Sequence, residues 1–259
     1  MPTTYLQARV DAILRETDHR PWAIPAERWQ LFMRWSELAF LHWPVPVDVL
    51  RRLVPAGLEI DTFDGTAWVG VVPFRMEDTR FRWLPMIPTA SNFYEINLRT
   101  YVREGDRAGV WFFSLDAGSR LAVFGGRAGF NLPYYRARFD FETDSDGVRY
   151  RCQRIHRGAP SASFLGAYQG IGPVRRSTAG SIEHWLTERY CLYSQSRGGR
   201  LSRLDVHHPP WPLQQANAYI EFNSLSDAAS IVLPHQEPLA HYASGVDVVA
   251  WMPRRVEPL

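Results

Sequence analysis

The residues best suited to chemistry stand in one short run, Phe93-Tyr94-Glu95-Ile96-Asn97-Leu98-Arg99-Thr100-Tyr101-Val102. It reads as a strand, whose successive side chains point to opposite faces. One face carries Tyr94, Ile96, Leu98, Thr100 and Val102, an obvious core surface. The other carries Phe93, Glu95, Asn97, Arg99 and Tyr101: an acid, an amide and a guanidinium with aromatics at both ends. Two readings fit. Facing water, Glu95 and Arg99 are ordinary surface charges. Facing inward, they converge on a pocket where a carboxylate moves a proton and a guanidinium holds an anion. The neighbouring run Val110-Trp111-Phe112-Phe113-Ser114-Leu115 is apolar on both faces, as a strand buried on both sides would be, and this favours the inward reading.

A second candidate follows at Leu132-Pro133-Tyr134-Tyr135. By alternation the two phenols point to opposite faces, and one of them can enter the pocket. The competing reading has both as packing aromatics. Other chemistries lack their residues. The chain has no lysine, so all 29 basic residues are Arg and no side-chain amine can form an imine. Cys152 and Cys191 are too isolated for a disulfide framework or a zinc ribbon. His207 and His208 are adjacent and point apart on a strand. His42, His184, His235 and His241 lack chelating spacing, so no metal site and no cofactor are expected. No G-x-S-x-G elbow, G-x-G-x-x-G loop or P-loop occurs. The 29 basic and 27 acidic residues nearly balance, and Arg175-Arg176 and residues 197–203 read as solvated loops, so no nucleic-acid partner is expected.

The elements that must position these groups follow from periodicity. The 259 residues are 46% hydrophobic with ten Trp, enough for a large core with rigid walls. Residues 3–16 read as a helix. Residues 28–43 are apolar on almost every side, helix or strand by period, and Pro44 and Pro46 end them. Residues 48–53 read as helical turns. Residues 58–61 and 67–74 read as strands joined by an Asp64-Gly65 hairpin turn. Strands continue at 110–116, 134–142 and 148–156, the last two joined by a turn at 144–147. One further helix is expected at 181–193, then a strand pair at 218–223 and 246–252. Strands in series predict a single domain, residues 1–259, of mostly β, α+β class around an antiparallel sheet or barrel. The first twenty residues lack the apolar segment of a signal peptide, and no run is long enough to span a membrane. A soluble cytoplasmic protein is the expectation.

At this point the chain resembles a known family. The run at 93–102 together with His42-Trp43-Pro44-Val45-Pro46, Asp61-Thr62-Phe63-Asp64-Gly65-Thr66-Ala67-Trp68-Val69, Leu132-Pro133-Tyr134-Tyr135, Glu188-Arg189-Tyr190-Cys191-Leu192-Tyr193 and His207-His208-Pro209-Pro210-Trp211-Pro212-Leu213 resembles the YqjF-like family, a bacterial domain of unknown function (the DUF2071 group). That family is similar to the acetoacetate decarboxylase-like superfamily. The resemblance implies a closed, cone-shaped antiparallel β-barrel with a few peripheral helices, an internal pocket and a homo-oligomer. The decarboxylase segment Gly-Arg-Glu-x-x-Gly-Phe/Tyr-Pro-Lys-Lys falls without a gap on Gly126-Arg127-Ala128-Gly129-Phe130-Asn131-Leu132-Pro133-Tyr134-Tyr135, where Gly126, Arg127 and Pro133 match. Tyr134 then occupies the Schiff-base lysine position, Tyr135 that of the lysine beside it, and Glu95 corresponds to a catalytic glutamate. Tyrosine forms no imine, so the resemblance supports fold and pocket and argues against decarboxylation.

The expectation is a pocket for a small organic ligand (a carbonyl, carboxylate or aromatic compound) bound by Arg127, Asn97, Arg99, Tyr101 and Tyr135. The alternative is an enzyme of non-covalent acid/base chemistry, of isomerase, dehydratase or lyase type. There Glu95 is the general base, Tyr134 the general acid or hydrogen-bond donor, and Arg127 or Arg99 the carboxylate anchor. Trp43 and Arg189 are expected in the core, and a buried Arg189 needs a carboxylate partner.

Overall fold

The computed structural model describes residues 3–145 and 147–256. The segment that periodicity leaves ambiguous is a long strand, β1 (Leu31–Val45). Its residues 38–43 are all buried, so both of its faces are apolar and alternation is invisible there. The other strands are β2 (Glu59–Ile60), β3 (Ala67–Phe81), β4 (Phe93–Glu104), β5 (Arg107–Ala117), β6 (Tyr134–Asp144) and β7 (Gly147–Arg154). After them come β8 (Ser163–Arg175), β9 (Cys191–Gln195), β10 (Leu201–His207), β11 (Leu213–Asn223), β12 (Leu239–Ala250) and β13 (Arg254–Arg255). The helices are α1 (Thr3–Arg15), α2 (Val47–Arg51), α3 (Pro88–Ser91), α4 (Arg120–Phe130) and α5 (Ile182–Thr187), with one 3-10 turn at Asp227–Ala229.

The pairings run β5–β6–β7–β8–β11–β12–β1–β3–β4 and return to β5, while β9 and β10 bridge from β5 to β12. The sheet is therefore a ring of pairings with a branch. It is not wholly antiparallel as expected, because β5 runs parallel to both β6 and β9. A parallel neighbour needs a crossover, and α4 supplies the one between β5 and β6. That helix was not expected from the sequence, since Gly125, Gly126 and Gly129 depress helix propensity. It forms between two caps. The Ser119 hydroxyl accepts the Ala122 amide at 3.2 Å, and Asn131 closes the end in a left-handed conformation at φ 52°.

Four sequence expectations are corrected. Asp64 and Gly65 do make a turn, with φ of 48° and 76°, closed by Phe63 and Thr66. Its flanks do not form a hairpin, however, because β2 pairs with β4 and β3 lies between β1 and β4. The helix expected at 181–193 ends after Thr187, and Cys191–Gln195 instead forms β9 between β5 and β10. Tertiary strand pairing overrides the helical spacing there. The segments at 218–223 and 246–250 lie in strands but are not partners: the first pairs with β8 and the second with β1, and the second strand ends at Ala250 rather than at 252. Leu201–Arg203, read as part of a loop, opens β10.

Both faces of β4 are buried. Ile96 and Leu98 pack with Leu41, Val69, Val71, Tyr150 and Phe164, whereas Phe93 packs with Met33, Leu38, Phe74 and Trp211 on the other side. Each such side chain contributes on the order of 1.5–3 kcal/mol by leaving water. Among the described residues no helix is long and apolar enough to cross a membrane.

Candidate functional site

The polar face of β4 lies inside the molecule. Glu95 is 2% exposed, Asn97 5% and Tyr101 0%, and Arg99 is half-buried. Register brings the phenol to the acid. Asn97 stands opposite Leu115 on β5, and Leu115 stands opposite Tyr134 on β6. The Tyr134 hydroxyl donates to Glu95 Oε2 at 3.0 Å. The two groups share the wall of a cavity of about 340 Å³ with Asn97 and Arg99. The rest of that wall is overwhelmingly apolar, including Met33, Leu38, Phe74, Phe93, Phe130 and Trp211.

Burial sets the protonation states. It pushes the Glu95 carboxyl up to about 8, against the Tyr134 hydrogen bond, and the charge of Asp116 adds to the rise. Burial and the neighbouring Glu95 hold the Tyr134 phenol well above its ordinary value. At pH 7 the pair is therefore mostly a neutral acid beside a neutral phenol. It can donate a hydrogen bond to a carbonyl, or exchange a proton once Glu95 ionises. Among the described residues no group of three His, Cys, Asp or Glu side chains could hold a metal ion.

The DUF2071 family model, described as an uncharacterized conserved protein, matches residues 32–247. The chain belongs to this family. Uncharacterized protein YqjF of Bacillus subtilis (strain 168) is 43% identical over 233 residues, 90% of this chain and 95% of that one. Three solved structures share the fold. An acetoacetate decarboxylase-like enzyme from Sphingomonas wittichii RW1 has a TM-score of 0.62 at 15% identity, covering 92% of this chain and 98% of its own. The enduracididine biosynthesis enzyme MppR complexed with pyruvate has a TM-score of 0.62 at 13% identity, covering 93% and 94%. Acetoacetate decarboxylase from Legionella pneumophila subsp. pneumophila str. Philadelphia 1 has a TM-score of 0.60 at 13% identity, covering 95% of each.

In this DUF2071 chain Tyr134 is the phenol that faces the cavity. Tyr135 points to the opposite side, where the Arg154 guanidinium sits 4.0 Å from its ring centroid and His156 meets it edge-on. Arg127 is exposed and donates to the Tyr134 carbonyl at 2.8 Å. Arg127 and Tyr135, expected to bind ligand, are thus not brought to the cavity wall; strand pleat and helix end turn them outward. Tyr101 lies beyond the wall, its ring against Trp185 and its hydroxyl 2.5 Å from His42 Nε2. Burial, then Arg99, His241 and Arg189, hold His42 well below its ordinary value, so it is neutral.

Two ion pairs support this site. The partner that Arg189 requires is Asp61, with Nη1 to Oδ2 at 2.6 Å. Sequence reasoning missed the other, Asp116 with Arg154, whose two hydrogen bonds of 2.6 and 2.7 Å are almost completely buried. Asp116 sits beside Ala117, the residue opposite Glu95 on β5. Only its placement in an apolar strand hinted at a partner. Trp43 is buried as expected, and its indole N–H donates to the Gln236 carbonyl.

Gly126 matters because α4 presses on Tyr134. A Cβ at that position would lie 2.2 Å from a Tyr134 ring carbon. Gly126→Ala is expected to displace the phenol and break its bond to Glu95. A downfield tyrosine hydroxyl proton present in the parent NMR spectrum and lost in the variant would register the break. An unchanged hydroxyl signal would show that α4 yields instead.

Proposed function

We propose that this protein holds a small organic molecule, a carbonyl, carboxylate or aromatic compound, inside a closed, cone-shaped barrel, and that it is not an acetoacetate decarboxylase. The observation that carries this reading is the Tyr134–Glu95 hydrogen bond at 3.0 Å on the wall of an apolar cavity. The ring of strand pairings supports the barrel. A chain without lysine has no side-chain amine for an imine, so the pocket works without covalent attachment to a lysine. The same proposal has residues 1–259 as one domain of a cytoplasmic homo-oligomer with no nucleic-acid partner. The size of the particle in light scattering tests the assembly.

A second reading has its own support. A carboxyl pushed up to about 8 and bonded to a phenol is suited to acid/base catalysis, as in an isomerase, dehydratase or lyase. With Glu95 as base, only the ionised form works, so turnover rises with pH and levels off above about 8.

One experiment separates the two. The protein is incubated with a panel of oxo acids, ketones and aromatic acids, bound species are weighed by native mass spectrometry, and each compound is followed by NMR. A binding protein returns its ligand unchanged. An enzyme converts one compound, and Glu95→Gln then cuts the rate roughly 100-fold or more while binding persists. A panel that yields neither binding nor turnover defeats both readings.

A further inference from the structure

We infer that the occupant of this cavity is a monocarboxylic acid with an apolar tail, its carboxylate on Arg99 and its tail directed toward the mouth beside α3 and α4. The inference rests on the small-molecule reading above and names the ligand class of that same site.

Arg99 lacks a counter-ion. Among the described residues it forms no ion pair, its Nε is buried without a partner, and its one side-chain hydrogen bond is a long 3.4 Å contact to the Tyr101 hydroxyl. The rings of Phe40 and Tyr101 lie 5.3 and 5.7 Å from its guanidinium carbon. The buried guanidiniums of Arg154 and Arg189 both sit on carboxylates at 2.6 Å. A guanidinium is a cation at any physiological pH, and a cation withdrawn from water without an anion is costly. Asn97, one pleat nearer Glu95, adds a second unanswered group: its Oδ1 is buried with no partner.

The charge count selects one anion. Glu95 is mostly neutral and already bonded to Tyr134, so Arg99 leaves this end of the wall, where Asn97 and Glu95 stand, with about one positive charge. A single carboxylate answers it, with Asn97 bonding a polar atom beside the carboxylate. The other cation on this wall, Arg80, lies about ten residues along β3 from Gly70, the residue paired with Arg99, so a phosphate dianion at Arg99 finds no second cation beside it, and a sugar finds too few polar partners. Apart from Thr79, Arg80 and Ser91 the remaining wall is hydrocarbon, and it runs out to Ile87 and Leu121, which are exposed at the mouth. A volume near 340 Å³ is at the small end for ligand pockets, which suits one medium-length chain.

The test uses the full chain and the neutral fluorophore aminoanthracene as a reporter of the cavity. Hexanoate, octanoate and decanoate compete against octanol and the methyl ketone of the same length. Octanoate is expected to displace the reporter roughly 10-fold or more better than octanol, and acetate to fail. Arg99→Met is expected to weaken octanoate roughly 10- to 100-fold while octanol is unchanged, and Arg99→Lys to restore part of the loss. Thermal melts establish that the variants fold; should Arg99→Met not fold, the ranking on the parent protein decides. Octanol or the ketone matching octanoate overturns the carboxylate assignment while the cavity reading stands. Acetate matching octanoate overturns the tail. No reporter binding and no displacement by any compound defeats the inference and the small-molecule reading together.

Discussion

Glu95→Gln raises the thermal midpoint at pH 8 and changes it little at pH 5. The folded carboxyl titrates near 8, the unfolded one near 4.5. Between those values the folded protein keeps a proton that the unfolded chain has released. Stability contributed by this group is therefore whole below about 4.5, falls as pH rises, and is flat above about 8. Each pH unit of the window is worth about 1.4 kcal/mol. Glutamine has no such window, and its amide oxygen still accepts the Tyr134 hydroxyl. Allowing for relaxation around a buried group, the gain at pH 8 is about 3 kcal/mol, or roughly 6–12 °C for a chain of this size.

Melts from pH 5 to 8 on both proteins check this expectation. The histidines act in the opposite direction. His42, His207, His208 and His241 are all lowered by burial, His207 to about 4, so the unfolded chain protonates first and both proteins weaken below about pH 6.5. That loss is common to the pair, and the difference between the two curves isolates Glu95. A difference independent of pH, or a glutamine variant weaker at every pH, would sink the account. A carboxyl kept in place at such a cost to stability would support the role proposed for Glu95.

Asp61→Ala produces a loss of similar size in the other direction. Arg189 is 6% exposed at its side chain, and its guanidinium carbon lies 4.4 Å from the Trp185 ring centroid and 4.8 Å from that of Tyr101. Its Nε donates to the Trp185 carbonyl at 2.6 Å, so it is held in place and cannot swing to water. Burial lowers its pKa and Asp61 opposes that, which makes the carboxylate its main charge partner. Removing Asp61 strands a buried cation at a cost of about 3–5 kcal/mol, roughly 6–20 °C. The double variant Asp61→Ala/Arg189→Met should recover more than half of the loss, because no buried charge is then left without its partner; Arg103, which also approaches Asp61 at 4.0 Å, is largely exposed and keeps its water. Equal midpoints for single and double variants would show that the pair is not coupled. The consequence reaches the cavity, since Tyr101 lies between this pair and Arg99.

Local sequence carried the elements that depend on alternation alone. The period-two run at 93–102 identified β4 and sorted its residues onto two faces, and the doubly apolar run at 110–115 identified a strand buried on both sides. The spacing of Leu6, Val10, Ile13 and Leu14 marked α1. Residue types were equally direct about chemistry: without lysine no side-chain amine can form an imine, and this holds in any fold. The need of a buried Arg189 for a carboxylate was legible too, but not its identity, since Asp61 lies 128 positions away.

What the chain could not reveal locally was pairing and register. Tyr134, and not Tyr135, meets Glu95 because β6 lies parallel to β5 with Leu115 opposite Tyr134, and a one-residue slip would exchange the two phenols. That register depends on α4, whose three glycines hide a helix held by its caps and by contact with the sheet. The same placement sends Arg127 outward onto a backbone carbonyl. Residues 191–193 look helical in isolation and become part of β9 because β5 and β10 take up their hydrogen bonds. Alternation and residue type belong to neighbours in sequence, and so they are written in it. Register, and with it the direction of each site residue, comes from backbone partners distant in the chain, which only the folded protein brings together.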